Sequence, residues 1–180
     1  FYKKLTESRV LPVTSVPPPA AFAEVYDKLA EETEQILAVT LTAKLSGTYE
    51  VALQSVGLMK RKCRVEVIDS QLATMAQGFI VIAAARAANA GASLEEVMAI
   101  AKRSIPRVGF RAALDTLEYL KRGGRIGRAQ AFLGMTLNIK PILTMKDGVA
   151  EPVAKVRSRA KAIEHLYNFA MSFSHIEEMS

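Results

Sequence analysis

Residues 35–42, "QILAVTLT", form a short, branched, continuously apolar run, residues 64–70, "RVEVIDS", read as a second strand, and a helix-like segment lies between them. This alternation constrains the fold more than any other feature of the chain. A short, continuously apolar run reads as a buried strand of a parallel sheet. Parallel neighbours need a crossover connection, usually a helix. Residues 48 to about 61 supply one, and residues 75–90, stopping at Gly91, supply the next. An earlier helix follows from Phe22, Val25, Tyr26 and Leu29 at i, i+3, i+4 and i+7. Pro17, Pro18 and Pro19 form its extended lead-in.

Downstream the pattern changes. Ser93, with Glu96 three residues on, forms a capping box. It opens a helix with Leu94, Val97, Met98 and Ala101 on its apolar face, and Pro106 ends that helix. "RVGFRAAL" reads as a strand, "LDTLEYLKRGGRIG" as a short helix closed by Gly123 and Gly124, and "AQAFLGMTLNI" as helical. "KPILTMKDGVAEPVAKVRS" reads as two strands around the turn at Lys146, Asp147 and Gly148, a hairpin signal. The last helix carries Ile163, Leu166, Tyr167 and Ala170 on one face. A hairpin means antiparallel pairing, so a boundary is expected near Gly91–Ser93. The expected class is α/β in two domains. Residues 1–92 form part of a domain with a Rossmann-like parallel sheet and crossover helices, and residues 93–180 part of a second α/β domain with an antiparallel hairpin.

Half of the 180 residues are apolar and 23% are charged, an ordinary globular balance. No apolar run is long enough to cross a bilayer; the richest, "FIVIAAARAANA", is broken by Arg86 and Asn89. The first twelve residues are too mixed in charge for a signal peptide. Cys63 stands alone, so no intrachain disulfide forms, and a cytoplasmic location is expected. The net charge of +6 is compatible with nucleic acid, an anionic membrane or an anionic ligand. No helix combines a basic face with base-reading residues, and the 7% of aromatics are not interleaved with the basic clusters. Neither a nucleic-acid partner nor stable membrane insertion is expected. Two histidines and one cysteine show no metal-ligand spacing. There is no G-x-S-x-G, Walker A loop or G-x-G-x-x-G. "RGGRIGR" reads either as a phosphate loop or as a helix C-cap followed by a tight turn.

The remaining signal is a set of hydroxyls after predicted strands. Thr14 and Ser15 follow the extended "RVLPV", Ser46 follows "ILAVT", and Ser70 closes "RVEVID". Open parallel sheets bind ligands beyond the carboxyl ends of their strands. In Leu45-Ser46-Gly47-Thr48 a glycine allows close approach to free N–H groups at a helix start, a setting that favours an anion. Each hydroxyl is equally readable as a cap or turn residue.

Four segments resemble the DegV family. "VTSVPPPAAF" stands where that family has "TSQPS". "LSGTYEVA" is similar to its "LSGTYxSA", and "VIDSQLATMAQGFIV" to its "V-x-D-S-x-x-x-S-x-G-x-G". The stretch from "LDTLEYLKRGGRIG" to "KVRSRAKAIEHL" follows the family pattern throughout. The resemblance covers nearly the whole chain, without the family's N-terminal "DSTAD" strand or its C-terminal "G-x-H-x-G-P-G" segment. It implies a bacterial fatty-acid-binding protein of phospholipid metabolism, not an enzyme. Such a protein holds a long-chain fatty acid as its ligand, uses no other cofactor or metal, and presents the carboxylate to a fatty acid kinase. It implies that Thr14 and Ser46 hold the carboxylate, supported by Ser15 and the backbone of Gly47 and Thr48. Arg122, Arg125 and Arg157 would lie at the head-group mouth or on the kinase-facing surface. Tunnel candidates are Phe79, Ile80, Ile82, Phe110, Leu114, Leu133, Met135, Ile139 and Ile142, all equally at home in an ordinary core. Burying a C16 tail would contribute on the order of ten kcal/mol before binding costs. The alternative is a small phosphotransferase or hydrolase built on the strand-end hydroxyls and the basic glycine loop.

Overall fold

The computed structural model describes residues 1–8, 10, 12–134 and 139–180. It opens with a short helix, α1 (Tyr2–Glu7). Residues 12–18 then run without regular structure to α2 (Pro19–Leu29), which has a proline in its first turn. Among the described residues no strand precedes Thr14, so Thr14 and Ser15 sit on a coil rather than at a strand end. Tyr26 is buried and its hydroxyl donates to the Ala52 carbonyl, whereas Val25 and Leu29 of the expected stripe are exposed.

β1 (Gln35–Thr40) and β2 (Arg64–Asp69) pair in parallel, in register from Gln35 opposite Arg64 to Thr40 opposite Asp69. The crossover helix α3 (Thr48–Val56) ends five residues sooner than its apolar pattern predicts. Gly57 is its C-cap, and the amides of Gly57, Leu58 and Met59 bond only three residues back, to Gln54, Ser55 and Val56. Beyond that turn the chain meets Asp27 on α2. Its carboxylate accepts the backbone N–H groups of Lys60, at 2.9 and 3.1 Å, and of Arg61, at 2.9 Å. Those two amides are thereby withdrawn from any helix.

α4 (Thr74–Asn89) follows β2, and Gly91, at φ +86°, turns the chain after its end. α5 (Leu94–Ser104) starts at the expected capping box: the Ser93 N–H donates to Glu96 Oε2 at 2.8 Å, and the Glu96 N–H to Ser93 Oγ at 3.4 Å. Ile68, Leu72, Ala76, Ile80, Ala84, Val97 and Ala101 form one buried cluster. β2, α4 and α5 therefore share a core.

Pro106 ends α5 in a 3-10 turn over Ile105–Arg107. The strand expected across "RVGFRAAL" contracts to β3 (Ala112–Ala113), facing Leu143 and Ile142. α6 (Glu118–Arg122) is capped by Gly123, and Gly127–Phe132 coil as a 3-10 helix rather than an α-helix. Of that expected helix, residues 135–138, including Met135, lie outside the described residues, and Ile139 is half-buried without regular structure just before the next strand. β4 (Lys140–Lys146) and β5 (Val149–Val156) form the expected hairpin, and β3 completes a three-stranded antiparallel sheet. Asp147 and Gly148 have φ +51° and +79°, the left-handed pair that a tight hairpin turn requires. Leu117, Ala129, Leu143 and Ala150 make a second core.

α7 (Arg159–Met171) packs on a face rotated from the predicted one. Ile163 and Tyr167 are 56% and 62% exposed, while Ala162 is buried. The guanidinium of Arg111 lies over the Phe169 ring at 4.3 Å and so draws the Phe169 side of the helix inward.

Candidate functional site

The carboxyl ends of β1 and β2 meet at Thr40 and Asp69, and two loops leave from there. Asp69 braces both. Its Oδ2 accepts the Ala43 N–H at 3.2 Å, and its Oδ1 accepts the Gln71 N–H at 2.8 Å. Ser70 is fully buried and is spent locally: its hydroxyl donates to the Leu72 carbonyl and accepts the Leu72 N–H, both at 3.2 Å. Of its two readings, the turn is the one realised.

The first loop carries the hydroxyls Ser46 and Thr48, both half-buried. Their oxygens lie 2.8 Å apart in one hydrogen bond, and the Thr48 N–H donates to Ser46 Oγ at 3.3 Å. Ser46 thus occupies a free amide at the start of α3, while the pair faces the helix N-terminus with its partial positive charge. Gly47 is exposed between them. A Cβ built on Gly47 would lie 3.7 Å from Val16 Cγ2. Val16 thus stands beside this turn, while Thr14 and Ser15, just before it on the coil, are exposed.

The basic residues divide. Arg125 comes to the loop, with its Nε donating to the Leu45 carbonyl at 3.1 Å and its Nη1 to the Gly123 carbonyl at 2.5 Å. Arg122 instead pairs with Glu118 along α6. Arg157 is exposed between β5 and α7.

A cavity of about 460 Å³ opens between α4, residues 104–111, α7 and the C-terminal residues. Met75, Phe79, Ile82, Phe110 and Phe169 line it. Phe79, Ile82 and Phe110 were among the tunnel candidates. Ile80 and Ile142 are instead fully buried core, and Leu114 and Leu133 pack on the second core. None of Thr14, Ser15, Ser46, Gly47 and Thr48 is among the cavity-lining residues. Sequence reasoning did not single out Arg111, which lines this cavity half-buried. It donates to the Phe110 carbonyl at 2.8 Å and to Thr144 Oγ1 at 2.7 Å, and burial pulls its guanidinium below its ordinary range. Its signal was a lone charge inside the apolar "VGFRAAL". Thr42 was also missed; it is fully buried and bonded to the β4–β5 turn. Among the described residues no group of three or more His, Cys, Asp or Glu is placed to hold a metal, and no helix is long and apolar enough to cross a membrane.

Sequence and structure comparisons agree on the family. The profile described as "Uncharacterised protein, DegV family" matches residues 1–179, and this chain belongs to the DegV family. A DegV domain-containing protein of Caldanaerobacter subterraneus is 40% identical over 169 residues, covering 94% of this chain and 60% of the relative. One of Streptomyces coelicolor is 40% identical over 158 residues, covering 87% and 56%. A Thermus thermophilus structure, described as fatty acid binding of a DegV family protein, superposes with a TM-score of 0.87 at 40% identity over 95% of this chain and 60% of its own. The DegV structure of Bacillus subtilis, described as a fatty acid binding protein, gives 0.84 at 31% identity over 96% and 61%. The chain spans about 60% of the length of the relatives it matches.

Proposed function

We propose that this chain is the carboxylate-gripping part of a fatty-acid-binding protein. The observation that carries the reading is the hydroxyl pair of Ser46 and Thr48 beyond the carboxyl end of β1, 2.8 Å apart at a helix start. Two hydroxyls and a helix N-terminus can hold a carboxylate without a full counter-charge. Family membership supports the ligand, because DegV structures are described as binding fatty acids. Ser46 and Thr14 act as the clamp, with Ser15, Gly47 and Thr48 in support. The acyl tail runs toward α4, whose first turn, at Thr74 and Met75, begins the cavity wall.

The chain binds rather than catalyses, in the cytoplasm, and passes its ligand to a fatty acid kinase. Arg122 and Arg157, both exposed, are the contacts for that partner. Arg125 secures the loop beside the head group. The two-unit division of 1–92 and 93–180 is kept with one amendment. Val97 and Ala101 share the first core, so α5 is assigned to the first unit.

Lipid extraction from the purified full chain, followed by mass spectrometry, tests this reading. A long-chain fatty acid is expected in the extract, and the stripped protein should rebind oleate or palmitate. Protein that emerges empty and takes up neither would overturn the proposal.

A further inference from the structure

We propose that Thr42 is the positioning residue of the hydroxyl loop. It latches residues 42–48 to the tip of the β4–β5 hairpin and so fixes where Ser46 and Thr48 stand. The inference rests on the function proposed above for those two hydroxyls.

Thr42 is fully buried, and its hydroxyl is bonded on both sides. It donates to the Gly148 carbonyl at 2.9 Å, across 106 residues of sequence, and it accepts the Lys44 N–H at 3.2 Å. The hairpin tip is shaped to receive it. Gly148 sits at φ +79°, and a Cβ there would collide with Thr42 Oγ1 and lie 3.1 Å from Lys44 Cγ. The Thr42 backbone is held from the other side, where its N–H donates to the Leu72 carbonyl at 2.8 Å. Three residues on, the Leu45 N–H donates to the Thr42 carbonyl at 3.1 Å, and the Leu45 carbonyl receives Arg125 Nε. Ser46 is the next residue. The loop is thus pinned to the hairpin tip and to the loop after β2, immediately before the residue that would touch the ligand. A pre-ordered loop spares the ordering cost that a slack one meets on binding.

The test uses the full chain with Thr42→Val, which keeps the shape and removes the hydroxyl, Thr42→Ser, which restores it, and Gly148→Asn. Asparagine tolerates the left-handed turn but places a Cβ against Thr42. Two readouts are taken: amide hydrogen exchange without ligand, and affinity for oleate. Thr42→Val should speed exchange at residues 43–48 about tenfold and weaken oleate by about the same factor, the scale of one lost hydrogen bond. Exchange at Ile68 and Ile80 should not move. Thr42→Ser should restore both readouts, and Gly148→Asn should repeat the defect from the other partner. Unchanged loop exchange in Thr42→Val overturns the proposal. So does failure of Thr42→Ser to rescue, or loss of core protection in both Thr42→Val and Gly148→Asn, which would make the contact general scaffolding. Wild-type protein that ignores oleate, with the exchange pattern as expected, sinks the fatty-acid reading and leaves the latch standing.

Discussion

Ser46 and Thr48 share one hydrogen bond, so one of the two hydroxyl protons stays available to a further acceptor. A carboxylate replaces one weak neutral bond with charge-assisted ones. Ser46→Ala should therefore lower oleate affinity by about tenfold, on the order of 1.5 kcal/mol for a hydrogen bond to a charged group. Displacement of a fluorescent fatty acid measures it. The same change should cost little stability, since Ser46 is half-buried and caps only one amide. Arg111 is the opposite kind of residue. It is a cation among phenylalanines whose Nε has no acceptor among the described residues, offset by Phe110, Thr144 and the Phe169 ring.

At the scale of elements, Asp27 fastens α2 to the segment between α3 and β2. Its carboxyl is held below the ordinary range, first by the N–H of Arg61 and then by that of Lys60. A lowered folded-state pKa means that the contribution is complete above the unfolded value, near pH 4, and is lost as pH falls through the folded one. Wild-type Tm should thus drop more steeply between pH 5 and pH 3 than that of Asp27→Asn, whose amide does not titrate. Parallel melts across that window check it, and equal slopes would contradict it. This bond also marks the limit of legibility. Gly91, the Ser93–Glu96 box and the Asp147-Gly148 turn were readable because each signal and its structural effect lie within a few residues. The course of the chain after α3 was not, because the carboxylate that holds Lys60 lies 33 residues upstream. The face of α7 was misread because Arg111 reaches it through space, and Thr42 read only as the end of the first strand because its partner is 106 residues away. Within the candidate site, the Ser46–Thr48 turn was legible from its own letters. The coil bearing Thr14 was not, since among the described residues no strand precedes it.

For the whole molecule, the two cores divide the chain differently from its pairing pattern. A boundary at residue 92 would strip Val97 and Ala101 from the cluster around Ile68, Ile80 and Ala84. A fragment ending at residue 92 should lose that side of its core and give a collapsed amide spectrum. One ending at residue 107 should keep dispersed signals for β1, β2 and α4. Equal dispersion in both would place the boundary back at Gly91. The hairpin tip has a practical corollary. Such tips are ordinarily where affinity tags and reporter peptides are spliced, because they hang free in solvent. At Asp147 and Gly148 the insert would instead be driven between two halves of the protein, so any graft belongs on another part of the surface.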